Sequence, residues 1–390
     1  MRPRRHLLVR LAVGASLTLA ACSPAGGPAS PAGGGSAPAS GAGLIEVKIG
    51  AAFSLTGAAA VYGASQQNGA KLAADEVNKA GGVKIDLKIE DDASDPNQGI
   101  NLFKRFINQD NVAAIIGPTL SNTAFSADPE AVKAGVVVLG VSNTAAGITD
   151  MGEWVFRDSL TEGQVIPQTI AAAKTKFNLV KVAILYGQDD AFTKSGYDVF
   201  KQALAKSGIE VTTTETFSKG DRDFNAQLTK ILGTAPDAIV VSALAEEGAG
   251  IITQARGLGI DVPIIGGNGF NSPAIIKNAG KDAEGVVVGA AWNSSSQIPE
   301  NQAFLSAYQA AYGSAPDQFA TQAYTGVKLL AEAIKRAGSS DRQAIRDALL
   351  GIKDFLTPLG SFSFTEQRNA DHPAVVQIVK GGKFTVLDGG

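Results

Sequence analysis

The feature that most constrains the fold is a strand-then-helix alternation that runs along the chain, stops and begins again. Residues 45–53 (IEVKIGAAF) read as a strand rich in β-branched residues. A helix follows, with Ala70, Leu72 or Ala73, Val77 and Ala80 near helical spacing and Gly81-Gly82 as its stop. Residues 84–91 (KIDLKIED) alternate at period two. The next helix opens at Asp95-Pro96-Asn97-Gln98, with an acidic cap, Pro at the first helical position and Gln three after the cap. A short buried-type strand at 112–117, a helix from near Ser121 and a strand at 135–140 complete the first series. The second series starts with a strand at 181–187, followed by a helix near 193–207, and further strands at 209–217, 237–243, 262–267 and 284–291. Helices are expected near 223–232, 246–257, 300–312 and 320–337, and strands at 361–364, 374–380 and 384–387 close the chain. Such alternation means βαβ units with parallel strands. Two successive series predict an α/β protein made of two doubly wound parallel-sheet lobes.

The N-terminus is of another kind. Residues 1–10 (MRPRRHLLVR) carry four arginines and no acid, and a short apolar run ends at Ala21. This is the layout of a secretory signal peptide, and the run is far short of the roughly 20 apolar residues of a spanning helix. Leu19-Ala20-Ala21-Cys22 resembles the lipobox of a bacterial lipoprotein. That resemblance implies cleavage after residue 21 and lipid on Cys22, the only cysteine of the chain, with several acyl chains giving stable anchoring. From Ser23 to Gly43 every residue is Gly, Ala, Ser or Pro. Such a stretch buries too little apolar surface to order itself and reads as a tether reaching about 25 Å. Residues 1–21 are therefore expected to be signal, 22–43 anchor and tether, and the fold to begin near Leu44.

Composition excludes several functions. Without the four signal arginines, 30 basic residues face 37 acidic ones, a charge of about −7, which is the wrong sign for a nucleic-acid footprint. His6 and His372 are the only histidines. A mature chain with one histidine and no free thiol has no means of building a His-based triad, an HExxH site or a thiolate zinc cluster. His372, before Pro373, reads as a surface loop residue. A P-loop is absent. The acids of 91–99 (DDASDPNQG) lack the spacing of a calcium loop and read as strand end, turn and helix cap. Glu246-Glu247 reads as a solvated helix start rather than an acid–base pair. No metal and no cofactor is expected.

In open α/β sheets, ligands sit beyond the carboxyl ends of the strands. The loops there are 54–63, 117–123, 140–147, 186–197, 242–248 and 266–272; five of these six are rich in Ser, Thr, Asn or Gly. Hydroxyls and backbone N–H groups at a helix N-terminus hold a small anion without a cationic side chain. Ser121 and Thr144 are the sharpest candidates; ordinary helix capping is the alternative for both.

From residue 44 to 390 the chain resembles the substrate-binding proteins of branched-chain amino-acid-type ABC importers, the leucine/isoleucine/valine-binding group of type I periplasmic binding proteins. The residues that carry the likeness are IGAAFSLTGAAAVYG, AADEVNKAGGV, DDASDPNQ, IIGP, DDAFTKSGYDVF, GDRDFNAQLTKI and AYTGVKLLAEAI, in that order. The resemblance implies two lobes joined by three crossings, one taking 44–162 plus 290–370 and the other 163–289 plus 371–390. By the same likeness Tyr62 covers the ligand, Ser121 and Thr144 hold its carboxylate, and Thr119 and Ser142 offer backbone groups. Phe192, or its neighbour Ala191, matches a second-lobe tyrosine, and Phe319 falls on an aromatic near the side-chain pocket, with a core role as the alternative. The acid that pairs with a ligand ammonium falls on Asn268, which carries no charge; Asp189 or Asp190 is left as a partner for an amine, or the ligand has none. Ala245 stands where some members have tyrosine, and Ala93 and Leu120 stand at the positions of a disulfide found in some.

The function expected is that of a monomeric, exported, lipid-anchored binding protein, not an enzyme. It captures an amino acid or related small carboxylate and passes it to an ABC permease and its ATPases. A sensing receptor built on the same trap, and an exported hydrolase working with carboxylates alone, are the rivals.

Overall fold

A computed structural model of the chain describes residues 43–387; the signal, Cys22 and nearly all of the expected tether lie outside the described residues. The first sheet contains β1 (Ile45–Phe53), β2 (Val83–Asp91), β3 (Ala114–Ile116), β4 (Val137–Gly140) and β5 (Val155–Arg157), ordered β2-β1-β3-β4-β5. All neighbours are parallel. Helices α1 (Ala60–Ala80), α2 (Pro96–Asn108) and α3 (Ser121–Ala134) connect its strands. The acids of 91–99 do what strand end, turn and cap require. Asp91 accepts from the Leu55 and Thr56 amides, Asp92 accepts from Ser54 Oγ, and Asp95 caps α2 by accepting from the Gln98 amide.

After β5 the chain forms α4 (Glu162–Phe177), which opens with a capping box between Thr161 and Gln164. It then enters the second sheet through β6 (Lys181–Gly187), α5 (Ala191–Lys206), β7 (Glu210–Phe217), α6 (Asn225–Gly233), β8 (Ala238–Ser242), α7 (Ala245–Gly257), β9 (Ile264–Gly266), α8 (Pro273–Ala279) and β10 (Val287–Ala290). It returns to the first sheet with α9 (Pro299–Tyr312), α10 (Gln318–Ala337) and α11 (Arg342–Leu350). A small antiparallel sheet of β11 (Phe355–Thr357), β12 (Gly360–Phe364) and β13 (Ala370–Asp371) follows. The chain then crosses again to add β14 (Val375–Lys380) and β15 (Lys383–Val386) to the second sheet, ordered β15-β14-β10-β9-β8-β6-β7. β14 and β15 run antiparallel to their neighbours, the familiar way of finishing the edge of an otherwise parallel sheet. The result is a two-lobe α/β fold with three crossings.

His372 departs from expectation. It is buried, its ring stacks on Phe362 at 5.8 Å, and burial pushes its pKa below the usual value, so it is a neutral core residue and not a surface one.

The first lobe depends on α1 lying directly against α10. A Cβ built on Gly69 would stand 2.0 Å from the Ala320 carbonyl oxygen, so the two helix backbones meet at a position only glycine fits. The contact is framed by Ser65 Oγ donating to Asp317 Oδ2 (2.7 Å), Tyr312 Oη donating to the Asn68 carbonyl (2.8 Å) and the Lys328–Glu76 ion pair (2.8 Å). We predict that Gly69→Ala lowers unfolding free energy by about 1–3 kcal/mol, the usual penalty of overpacking. In urea titrations the midpoint falls while the slope stays constant.

Candidate functional site

Parallel strands bring the loops after β1, β3, β4, β6, β8 and β9 to one place, where a small cavity of about 20 Å³ lies between the two sheets' elements. Its polar wall is Thr119, Ser121, Ser142, Asn268 and Gly269, and its apolar wall is Tyr62, Leu120, Phe192, Leu244 and Phe319. Among the described residues no carboxylate, histidine, lysine or arginine side chain lines it.

The polar wall starts from α3. Its N-cap is Leu120, which supplies no side-chain cap, so the first-turn amides keep their hydrogen-bonding capacity at the positive end of a 14-residue helix. Ser121 is not a cap; it is the first helical residue, and its Oγ accepts from the Ala145 amide at 3.3 Å. Thr119 and Ser142 join Gln66 in a closed ring. Gln66 Nε2 donates to Ser142 Oγ (2.7 Å), Ser142 Oγ to the Thr119 carbonyl (2.6 Å), and Thr119 Oγ1 to Gln66 Oε1 (2.6 Å). The Ser54 amide donates to Thr119 Oγ1 (2.9 Å). Both hydroxyls are thus fully engaged within the protein, which fixes the loop backbones. Gly117 makes this path possible: at φ 102° it sits where a Cβ would be 2.2 Å from the Ala52 carbonyl oxygen.

On the apolar wall, the Tyr62 and Phe319 rings lie 4.5 Å apart at 47°. Phe319 is at once core and cavity wall, for Tyr62, Leu120, Phe192, Leu244 and Phe319 belong to one buried cluster spanning both lobes. Tyr62 Oη donates to the Gly269 carbonyl at 2.8 Å, and burial pushes the phenol's pKa well above the ordinary value, so it remains a donor.

Seven of the expected site residues meet here: Tyr62, Thr119, Ser121, Ser142, Phe192, Asn268 and Phe319. Three do not. Thr144 turns away, its Oγ1 donating to Glu162 Oε1 at 2.8 Å. Asp190 caps α5, accepting from the Thr193 amide (3.0 Å) and from Asn122 Nδ2 (2.8 Å), while Asn122 Oδ1 accepts from the Ala191 amide (2.8 Å). Asp189 Oδ1 accepts from the Lys219 amide (2.8 Å). Asn268 Oδ1 is taken by Gln318 Nε2 at 2.8 Å.

The sequence reading missed Gln66, Asn122, Glu162 and Gln318. Gln66 is a polar letter on a helix face that is otherwise apolar, a signal available in principle, whereas Gln318 shares its face with Thr321, Gln322 and Thr325 and does not stand out. Glu162 follows the capping-box threonine of α4. It is buried, with Oε1 bonded to Thr144 and Oε2 left without a partner among the described residues. Burial pushes its carboxyl up to about 7, opposed by the Thr144 hydrogen bond.

A family model described as periplasmic binding protein matches residues 46–383. The Leu/Ile/Val-binding protein BraC3 of Rhizobium johnstonii is 30% identical over 82% of this chain and 88% of its own length. Among solved structures, the branched-chain amino acid transporter substrate binding protein LivJ from Streptococcus pneumoniae, in complex with isoleucine, superposes with TM-score 0.83 and 32% identity, covering 87% of this chain and 97% of that one. A solute binding protein of an ABC transporter from Rhodopseudomonas palustris BisB5, in complex with 3,4-dihydroxy benzoic acid, gives TM-score 0.80 and 26% identity, covering 88% and 96%. Among the described residues no helix is long and apolar enough to cross a membrane.

The Glu162 carboxyl generates a prediction with a definite sign. Its folded pKa lies above its ordinary value of 4.5, so between pH 4.5 and about 7 the folded state holds more protons than the unfolded one. Stability contributed by this group therefore falls as pH rises through that window and is level above it. Glu162→Gln removes the term: relative to the parent, the variant gains up to about 3 kcal/mol between pH 5 and pH 8, read from paired urea titrations at the two pH values.

Proposed function

We propose that this chain, which belongs to the periplasmic binding protein family, is the extracytoplasmic binding component of an ABC importer that captures an amino acid or related small carboxylate. The single observation that carries this reading is the cavity between the lobes, where an uncapped helix N-terminus faces a wall of aromatic and aliphatic side chains. The α3 amides and Ser121 hold a carboxylate, the Thr119 and Ser142 loops supply backbone groups, and Tyr62, Phe192 and Phe319 enclose the rest. Thr144 acts through Glu162. Ligand bridges the lobes, here taken as 44–162 plus 290–370 and 163–289 plus 371–390, and shifts the population toward the closed state that a permease and its ATPases read. Asn122 bonding to Asp190 and Ala191 closes the same gap from its rim. Export, anchoring through Cys22 and a monomeric state complete the proposal. The names of the relatives support it, since BraC3 is a Leu/Ile/Val-binding protein and the two solved structures hold isoleucine and a dihydroxybenzoic acid.

The test is a thermal-shift screen of the full chain against amino acids and organic acids, followed by calorimetry and solution X-ray scattering on whatever binds. At 100 times Kd a ligand adds about 2.7 kcal/mol of stability, and scattering should report a smaller radius of gyration. Ser121→Ala is expected to weaken binding about tenfold, the loss of one hydrogen bond to a charged group, and to lower the unliganded protein's stability by about 1–3 kcal/mol, because the Ala145 amide loses its acceptor. Undiminished affinity in that variant removes the site assignment; a screen in which no solute raises the melting temperature removes the function.

A further inference from the structure

The hydrogen bonds around Asn268 specify which end of its side chain meets an occupant. They can be followed from a group whose polarity is certain. The Ala291 backbone amide is a donor and lies 2.6 Å from one end of the Gln318 side chain, so that end is the oxygen, Oε1. Asn271 Nδ2 donates to the same atom at 2.7 Å. The other end of Gln318 is then Nε2, a donor, and the Asn268 atom it reaches at 2.8 Å must be the acceptor Oδ1. What remains of Asn268 is its NH2 group. Nδ2 has no protein partner among the described residues, and Asn268 lines the cavity. Gln318, Asn271 and Asn268 are all buried, so the relay is held in a setting where reversing one amide would set two like groups against each other.

We infer that this site takes a monocarboxylic acid carrying an oxygen acceptor, a hydroxyl or keto group, where an amino acid carries its ammonium. The inference rests on the binding-protein reading above and narrows its ligand class. An ammonium meeting Asn268 would face an N–H donor, and burying it without an anion is strongly unfavourable. The other acids nearby do not compensate. Asp189 and Asp190 are bonded elsewhere and do not line the cavity. Glu162 is the nearest of them: its carboxyl is held by Thr144 and lies beside the Asn268 backbone amide, with Oε2 3.5 Å from where a Cβ on Gly267 would be; it is nonetheless absent from the lining. A keto or hydroxyl oxygen instead satisfies Nδ2 and leaves no charge to offset. Gln318 is a positioning residue: it touches Asn268, not the cavity.

The experiment compares matched acids by calorimetry on the full chain: leucine against 4-methyl-2-oxopentanoate and 2-hydroxy-4-methylpentanoate, and phenylalanine against 3-phenyl-2-oxopropanoate, with unsubstituted 4-methylpentanoate as reference. In the parent protein the oxo or hydroxy acid of at least one pair is expected to bind tenfold or more tighter than its amino acid. Asn268→Asp, nearly isosteric, should reverse that order. Gln318→Glu keeps an oxygen for the Ala291 amide but replaces the Nε2 donor, so the Asn268 amide turns over and offers Oδ1; the preference ratio should move at least fivefold toward the amino acid while affinity for 4-methylpentanoate stays within twofold, which general loosening of the fold would not produce. If amino acids bind tighter than their oxo and hydroxy counterparts in the parent, the inference is overturned and the binding-protein reading stands. Loss of that amino-acid binding in Glu162→Gln would then name Glu162 as the amine partner. If no acid of either class binds, both readings fall together.

Discussion

Parallel pairing is the constraint from which the site follows. A strand that must run parallel to its neighbour returns through a helix, and the loop that starts each return lies at the same edge of the sheet. Here two such sheets are built, and the residues around the cavity come from the loops after β1, β3, β4, β6, β8 and β9 together with the first turn of α10. None of these segments is adjacent in sequence to all the others. The strand ladders hold them in place, and the loops are free to vary in chemistry. The antiparallel β14–β15 hairpin touches none of this; it finishes a sheet edge.

Around the cavity, most polar groups are paired within the protein, and few are left free toward the gap. The Gln66–Thr119–Ser142 ring satisfies its members internally, and Gln318 is pinned by the Ala291 amide. What faces inward is therefore a short set: the α3 amides, Ser121 and one Asn268 N–H pair. The bonds that cross between lobes are individually modest: Tyr62 to Gly269, Asn122 to Asp190 and Ala191, the Ala146 amide to Ser195 Oγ at 3.0 Å, and Gln318 to Asn268 and Asn271. At about 1 kcal/mol net each, they close a cleft without locking it.

Much of the fold was legible in the sequence because the strands are long or fully buried. β1 and β6 coincide with the β-branched runs at 45–53 and 181–187. α4 was not read, since Gly163 and Pro167 break its pattern, although Thr161 and Gln164 carry a capping box that would have announced it. β5 is three residues long, too short for any period to register. In the site, the loops were found by their position after strands, and seven of the named side chains do meet. Thr144, Asp189 and Asp190 fail to join them because each has a nearer partner that no local pattern shows. The orientation of Asn268 depends on Gln318, fifty positions away. His372 looked like a loop residue because Asp371 and Pro373 flank it; its burial is decided by Phe362.

The meeting of α1 with α10 has a bearing on how the chain acquires its shape over time. Ser65 and Asp317 touch across 252 positions, so the N-terminal sheet has an uncovered helix face until the last quarter of the polypeptide is present. At synthesis rates of about 5–20 residues per second, that interval is on the order of 13–50 s. During it the first five strands exist with α1 lacking the surface it packs on, and contacts so distant in sequence form slowly in any case. The first lobe is thus the first to be begun yet waits for α10, and the second waits longer still, for β14 and β15.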